Sequence, residues 1–390
     1  MSLRLALVLN PFTLKRKGGE HAPSIAREML GRGYAVRVFG DVAGDIPQSA
    51  LESNAEGSAA PLERAGMGAF APDVVIAYDG LSPAAWRGAR AARSLGVPLI
   101  LVEEGFPDHG QPVERSLRMF GARAWGRLVR RTARRVIALD PVAQSQAVRE
   151  GFDPDIVSVL PSGVDVETFR PGLSSEVLRR HHVRGMVLLH IGRIEPGRGI
   201  DVLMDAFARS VGQRHDWSLV FCGTGSYRQA ARAHAERLGI GANVHWAGVP
   251  RPEELPGLVG SATALLVPAL DDDVASLKIR RAMACGVPVL ISDVSRLAGT
   301  IDHDENGLIV PRGDLEAWRA AISRLASDPS RRERWGKSAR EVAISRFSWP
   351  RVVDRVEDLV VHEVALHRAA EETQRDEEEL RGEDLAPSEG

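Results

Sequence analysis

The stretch SATALLVPALDDDVASLKIRRAMACGVPVLISDVSRLAGTIDHDENGLIVP, Ser261–Pro311, decides how this chain folds. An apolar run, Ala264–Pro268, leads into the acidic loop Asp271–Asp273, and a helical segment follows that stops at Gly286. A second apolar run, Pro288–Ser292, gives way to a turn-rich loop and then to a third, Gly307–Val310. Short runs without polar alternation suit strands covered on both faces, and a helix between two of them makes a βαβ unit. Ligands of open α/β sheets bind outside the carboxyl ends of the strands, so both loops are expected at a site.

The same alternation extends in both directions. Upstream the runs are Leu3–Leu9, Ala35–Phe39, Val74–Tyr78, Pro98–Val102, Arg135–Leu139 and Ile156–Leu160. Met186–Ile191, Ser218–Cys222 and Val244–Ala247 join the three above as a second set. Two successive sets predict an α/β chain of two doubly wound parallel-sheet domains facing a cleft. At 390 residues the chain also exceeds what one core organises. The expected domains are 1–165 and 166–349, joined through the turn-rich Pro161–Pro171. A helix over 350–366 is expected to pack back across them. Residues 367–390 carry nine acidic residues against three arginines, which predicts an irregular tail.

A net charge of −2 gives no reason to expect nucleic-acid binding. Cys222 and Cys285 lie far apart, show no metal spacing and sit in apolar runs, as buried free thiols of a cytoplasmic protein would. No segment approaches the ~20 apolar residues of a membrane span.

Several residues suggest chemistry. Gly192–Gly199 (GRIEPGRG) follows one strand and opens a helix. Arg193 and Arg198 could clamp a diphosphate there, although the loop alone also reads as a turn with two solvated arginines. Gly223-Thr224-Gly225 alone is a tight turn, and Asp271–Asp273 alone is a solvated acidic loop. Lys278, one of only four lysines among 50 basic residues, lies one helical turn before Arg281. In the first half Gly18-Gly19 precedes the first helix, and Glu103-Glu104 closes a strand, with His109 further on. The segment 114–135 holds eight arginines interleaved with Phe120, Trp125, Leu128 and Val129. It reads as a basic amphipathic helix that could meet an anionic membrane or a lipid-linked phosphate, or simply be solvated.

The phrase AMACGVPVLISD…ENGLIV resembles the donor half of the retaining GT-B-fold glycosyltransferases of family 4, and related matches span roughly residues 3–365. That resemblance implies a GT-B fold and sugar transfer from a nucleotide-sugar donor to a glycan, lipid-linked or small-molecule acceptor, without cofactor or metal. The family pattern G-R-x-x-x-x-K-G puts Arg193 and, in place of lysine, Arg198 on the donor diphosphate. Gly223 and Gly225 fall on its G-x-G, the backbone at Gly248 and Val249 on the nucleobase, and Gly18 and Gly19 on a glycine-rich loop facing the donor. Of the family's two carboxylates, Asp273 takes the first position, facing the sugar. Arg281 stands at the second, where a glutamate accepts from ribose, and Arg281 can only donate. Lys278, with Ser276 beside it, corresponds to a lysine near the phosphates. Glu104 falls nearest a histidine position and is the candidate acid, base or acceptor ligand. Ser295–Gly299 (SRLAG) replaces the family's G-G-x-x-E. These departures leave room for a non-catalytic GT-B homologue that binds a partner, or for an epimerase or hydrolase on the same fold.

Overall fold

A computed structural model of the chain describes residues 3–9, 20–40, 64–105 and 124–383. The first sheet comprises β1 (Arg4–Val8), β2 (Ala35–Phe39), β3 (Val74–Tyr78), β4 (Leu99–Glu103), β5 (Ala133–Ala138) and β6 (Val157–Val159). The second comprises β7 (Met186–Ile191), β8 (Trp217–Cys222), β9 (Val244–Gly248), β10 (Ala264–Val267), β11 (Val289–Ser292) and β12 (Gly307–Val310). Spatial order is β2-β1-β3-β4-β5-β6 in one and β12-β11-β10-β7-β8-β9 in the other. Every pairing is parallel. β3, β4 and β8 are buried along their whole length, which explains their unbroken apolar runs.

The chain passes between the sheets twice, and the two passes touch. Outbound, Val164 donates its N–H to the Phe347 carbonyl at 2.8 Å, and it forms a parallel bridge with Ser348 on the returning pass. One guanidinium nitrogen of Arg340 donates to the carbonyls of Val166 (2.9 Å), Phe169 (2.9 Å) and Ala284 (2.6 Å), fixing the linker to the second domain. The final helix, Trp349–Glu383, then lies on the first domain. Trp349, Val352, Val353, Val356, Val360 and Val364 share a core with β1 and the helix His21–Gly31.

Two expectations need correction. The terminal helix does not stop at 366. His367 meets the Gly96 carbonyl at 2.7 Å and Arg368 pairs with Asp73 at 2.6 Å, so the first domain still contacts the helix one turn past its last buried valine, and the helix runs on to Glu383. The Glu- and Arg-rich sequence has high helix propensity once that anchor exists. The basic segment is not one helix to 135. Residues 114–123 lie outside the described residues, Gly126–Thr132 is helical, and Ala133 begins β5 because β4 offers it a partner. Val129 is fully buried and Trp125 donates to the Leu81 carbonyl at 3.0 Å, so the apolar side faces the protein.

Gly163 sits where the two passes touch. A Cβ there would lie 2.4 Å from Cδ2 of Trp349. Gly163→Ala is expected to cost about 1–3 kcal/mol by overpacking, read as a lower urea midpoint. An unchanged midpoint would mean the Trp349 ring moves aside freely.

Candidate functional site

β7 has β8 on one side and β10 on the other, so the crossovers leave its carboxyl end in opposite directions. A crevice must open there, between the loops after Ile191 and Val267. It is a cavity of about 240 Å³ whose lining includes His190, Arg193, Arg198, Asp273, Lys278 and Arg281. Five residues singled out from sequence, spread over almost ninety positions, thus meet at one place.

The arginine loop is shaped by its neighbour. Gly192 donates to the Cys222 carbonyl at 3.0 Å and Ile194 to the Thr224 carbonyl at 2.9 Å. A Cβ on Gly223 would lie 1.8 Å from the Gly192 carbonyl oxygen, and one on Gly225 1.9 Å from that of Ile194. Both glycines therefore serve to seat the arginine loop. Val249, by contrast, is 68% exposed beyond the edge strand β9 and does not line the cavity.

The acidic loop answers the arginines directly. Asp273 accepts from both Arg193 and Arg198. Arg198 also reaches the Asp271 carboxylate at 3.0 Å and the Asp273 carbonyl at 2.9 Å. Burial works to raise the Asp273 pKa, but the guanidiniums of Arg198 and Arg193 outweigh it and hold the carboxyl below the usual range. Lys278 donates to the Ile191 carbonyl at 2.8 Å, placing its charge at the end of β7. The Ser276 hydroxyl accepts from Arg280 at 3.0 Å and so supports the next turn of the helix Leu277–Ala284.

Arg281 lines the cavity but turns towards the other domain, pairing with Glu20 while its guanidinium lies 4.9 Å over the Phe169 ring. Arg296 does the same from the altered Ser295–Gly299 loop. It bonds Asp140 of the first domain at 2.5 Å, and its Nε and backbone N–H hold Asp272 at 2.6 Å and 2.8 Å. Burial raises the Asp140 pKa while Arg296 opposes the rise. Glu104 stands beyond β4, half-buried, and helps push the buried Tyr78 hydroxyl's pKa well up, after burial itself. Gly18, Gly19 and His109 lie outside the described residues.

Sequence reasoning missed His190, His21 and Asp140. The signal for His190 was a lone polar residue within MVLLHI. Its Nδ1 contacts the Leu266 carbonyl at 3.1 Å, and its buried Nε2 has no partner among the described residues. His21 Nδ1 meets the Tyr78 hydroxyl at 2.9 Å, with Nε2 likewise orphaned. Burial, aided by Lys278 for His190 and by Arg280 for His21, lowers both pKa values to about 3. Cys222 and Cys285 are buried free thiols, pushed by burial to about 12.

These histidines give a pH signature. Unfolded, each titrates near 6.5; folded, each stays neutral to about 3. The unfolded chain therefore binds more protons in between, and stability falls as pH drops from about 6.5 towards 3. The slope is about 1.4 kcal/mol per pH unit per histidine. Between pH 6 and 5 urea unfolding should show this slope, to which burial of His245 adds in the same direction, and the His21→Gln/His190→Gln pair should reduce it. A flat wild-type profile would rule out buried neutral rings.

Known sequences and structures agree with this architecture. The family described as Glycosyl transferases group 1 matches residues 180–342, and the Glycosyl transferase 4-like domain matches 18–163. The D-inositol 3-phosphate glycosyltransferase of Saccharomonospora viridis is 32% identical over 249 residues, covering 60% of this chain and 57% of its own. That of Salinispora tropica is 31% identical over 237 residues, covering 56% and 49%. The chain thus spans about half the length of the curated relatives it matches. Among solved structures, Anabaena HepE in complex with UDP aligns with a TM-score of 0.72 at 18% identity, over 93% of this chain and all of that one. Sucrose-phosphate synthase from Thermosynechococcus elongatus aligns with a TM-score of 0.68 at 18% identity, over 93% and 100%. At such identity the likeness establishes the two-sheet GT-B fold. With one family profile on each domain and a switch-point cavity lined by the expected cations, the chain belongs to the group 1, family 4 glycosyltransferases.

Proposed function

We propose that the protein transfers a hexose from a nucleotide-sugar donor to a glycan, lipid-linked or small-molecule acceptor, with retention at the anomeric carbon. The observation that carries this reading is the convergence of Arg193, Arg198 and Lys278 on one switch-point cavity. Breaking the sugar–phosphate bond places negative charge on the departing diphosphate. Fixed cations in a partly dehydrated cleft stabilise that charge more in the transition state than in the ground state. In this reading they take the part a divalent metal plays elsewhere, so neither metal nor cofactor is required. Asp273 borders the same cavity and would orient the sugar, and Glu104 would serve the acceptor side. The named relatives act on a phosphorylated cyclitol, which makes a small phosphorylated polyol the first acceptor to try. The relatives named above are glycosyltransferases, which favours transfer over the reading of a non-catalytic binding protein.

Arg193→Ala should weaken binding of a nucleoside diphosphate or nucleotide sugar by about 1.5–3 kcal/mol, the worth of a hydrogen bond to a charged group. Its loop position should leave the fold intact. Calorimetry on a donor first found by thermal shift across UDP-, GDP-, ADP- and dTDP-sugars provides the measurement. Equal affinity for wild type and variant would remove Arg193 from the site.

We also propose peripheral contact with anionic membrane at the cytoplasmic face, now through the exposed Arg127, Arg131 and Arg134 rather than through an amphipathic helix. Among the described residues no helix is long and apolar enough to cross a membrane. Each basic residue at such a surface contributes about 1 kcal/mol. Co-sedimentation with phosphatidylserine vesicles should fall when the three become serine; a wild type that stays in the supernatant at low salt would end the idea.

A further inference from the structure

The donor cations already have an anion. Asp273 accepts from Nη2 of both Arg193 and Arg198, so its carboxylate lies between the two guanidiniums. Two clamping cations would hold the oxygens of a diphosphate in that same place. The loop keeps the carboxylate there by its own bonds. The Asp273 N–H donates to Asp271 Oδ1 at 3.0 Å, and Asp271 bonds Arg198 at 3.0 Å. Asp272, between them, is tied to Arg296.

Local charge argues that the carboxylate cannot simply remain. Arg193, Arg198, Lys278 and Arg281 supply four positive charges, and Asp271, Asp273, Glu195 and Glu20 already offset them. A diphosphate brings two or more negative charges into a cleft where Arg193 and Arg198 already bond the acidic loop. With both aspartates in place the cluster would become net anionic, and like charges at such range cost several kcal/mol. Access is not the obstacle: the Arg193 side chain is 40% exposed and that of Asp273 21%.

We propose that Asp273 is the resident counter-ion of the diphosphate site. It occupies the space between Arg193 and Arg198, and the incoming diphosphate displaces it. This inference rests on reading the cavity as a donor site. It makes Asp273 a competitor for the two arginines, a role separate from any contact with the sugar. Donor affinity is then a difference between two anions competing for one clamp. The side chain at position 273 sets it without needing to touch the nucleotide.

The test is isothermal calorimetry with inorganic diphosphate on the full chain, comparing wild type with Asp273→Asn, Asp273→Ser and Asp271→Asn. Circular dichroism and thermal melting verify folding, and two substitutions at 273 guard against loss of either. We expect Asp273→Asn and Asp273→Ser to bind about tenfold tighter, one decade in Kd being about 1.4 kcal/mol. Asp271→Asn, which frees only Arg198, should gain less. Unchanged or weaker binding in both 273 variants overturns the proposal, as does absence of diphosphate binding in wild type and variants at millimolar concentration. The functional reading is judged separately by the nucleotide-sugar panel. Tighter diphosphate binding with no nucleotide sugar bound upholds the counter-ion and sinks the transferase. A bound nucleotide sugar without tightening does the reverse.

Discussion

The divergence of the chain at β7 is the constraint on which the rest depends. Parallel strands need crossovers, crossovers need helices on both faces, and a sheet that grows in two directions from one strand must leave a gap at that strand's carboxyl end. β7 pairs with β8 on one side and β10 on the other. The arginine loop leaves β7 and the acidic loop leaves β10, so opposite charges from distant parts of the chain are forced into one small space. The cavity, its electrostatics and its buried histidine all follow from that geometry.

Both departures from the family pattern share one structural consequence. Arg281, which the resemblance set against a glutamate, pairs with Glu20. Arg296, in the loop Ser295–Gly299, pairs with Asp140. Each reaches from the second domain to the first. The guanidinium is planar, permanently charged and rich in donors, so it suits such bridges better than other side chains. The Arg296–Asp140 pair is only 11% and 10% exposed, where desolvation offsets much of the attraction. Its evident effect is to fix orientation, since the same arginine also holds Asp272 in the acidic loop. Cleft geometry and the anion site are thereby linked through one side chain.

The first domain relies on a different device. Its core is completed by the last helix of the chain, which reaches it through the double crossing at Val164 and Phe347. Arg32 pairs with Asp354 at 2.8 Å and also with Glu357, and Arg135 pairs with Glu363 at 2.6 Å, so ionic contacts flank the valine stripe. A helix that begins on one domain and finishes the core of the other ties their folding together.

Strand order along the chain, the doubly wound class and the two-domain plan were legible in the sequence, because doubly buried strands must be apolar and the pattern recurs every few tens of residues. All twelve runs became strands within two residues of their expected ends. Arg193 and Arg198 were legible as residues of the loop after β7, while Asp273 and Lys278 were singled out by the family resemblance, and all four line one cavity. Tertiary structure alone decided which charges neutralise which. Asp273 gained two arginines, Arg281 turned to Glu20, and His190 became a buried neutral ring, since none of these partners is near in sequence. It also decided the fate of residues 367–383, whose composition is that of a solvated tail. Contacts of His367 to Gly96 and of Arg368 to Asp73, some three hundred positions away, anchor its start, and the helix propensity of the rest carries it on. Periodicity reports which face of an element is covered, and only the fold can say what covers it.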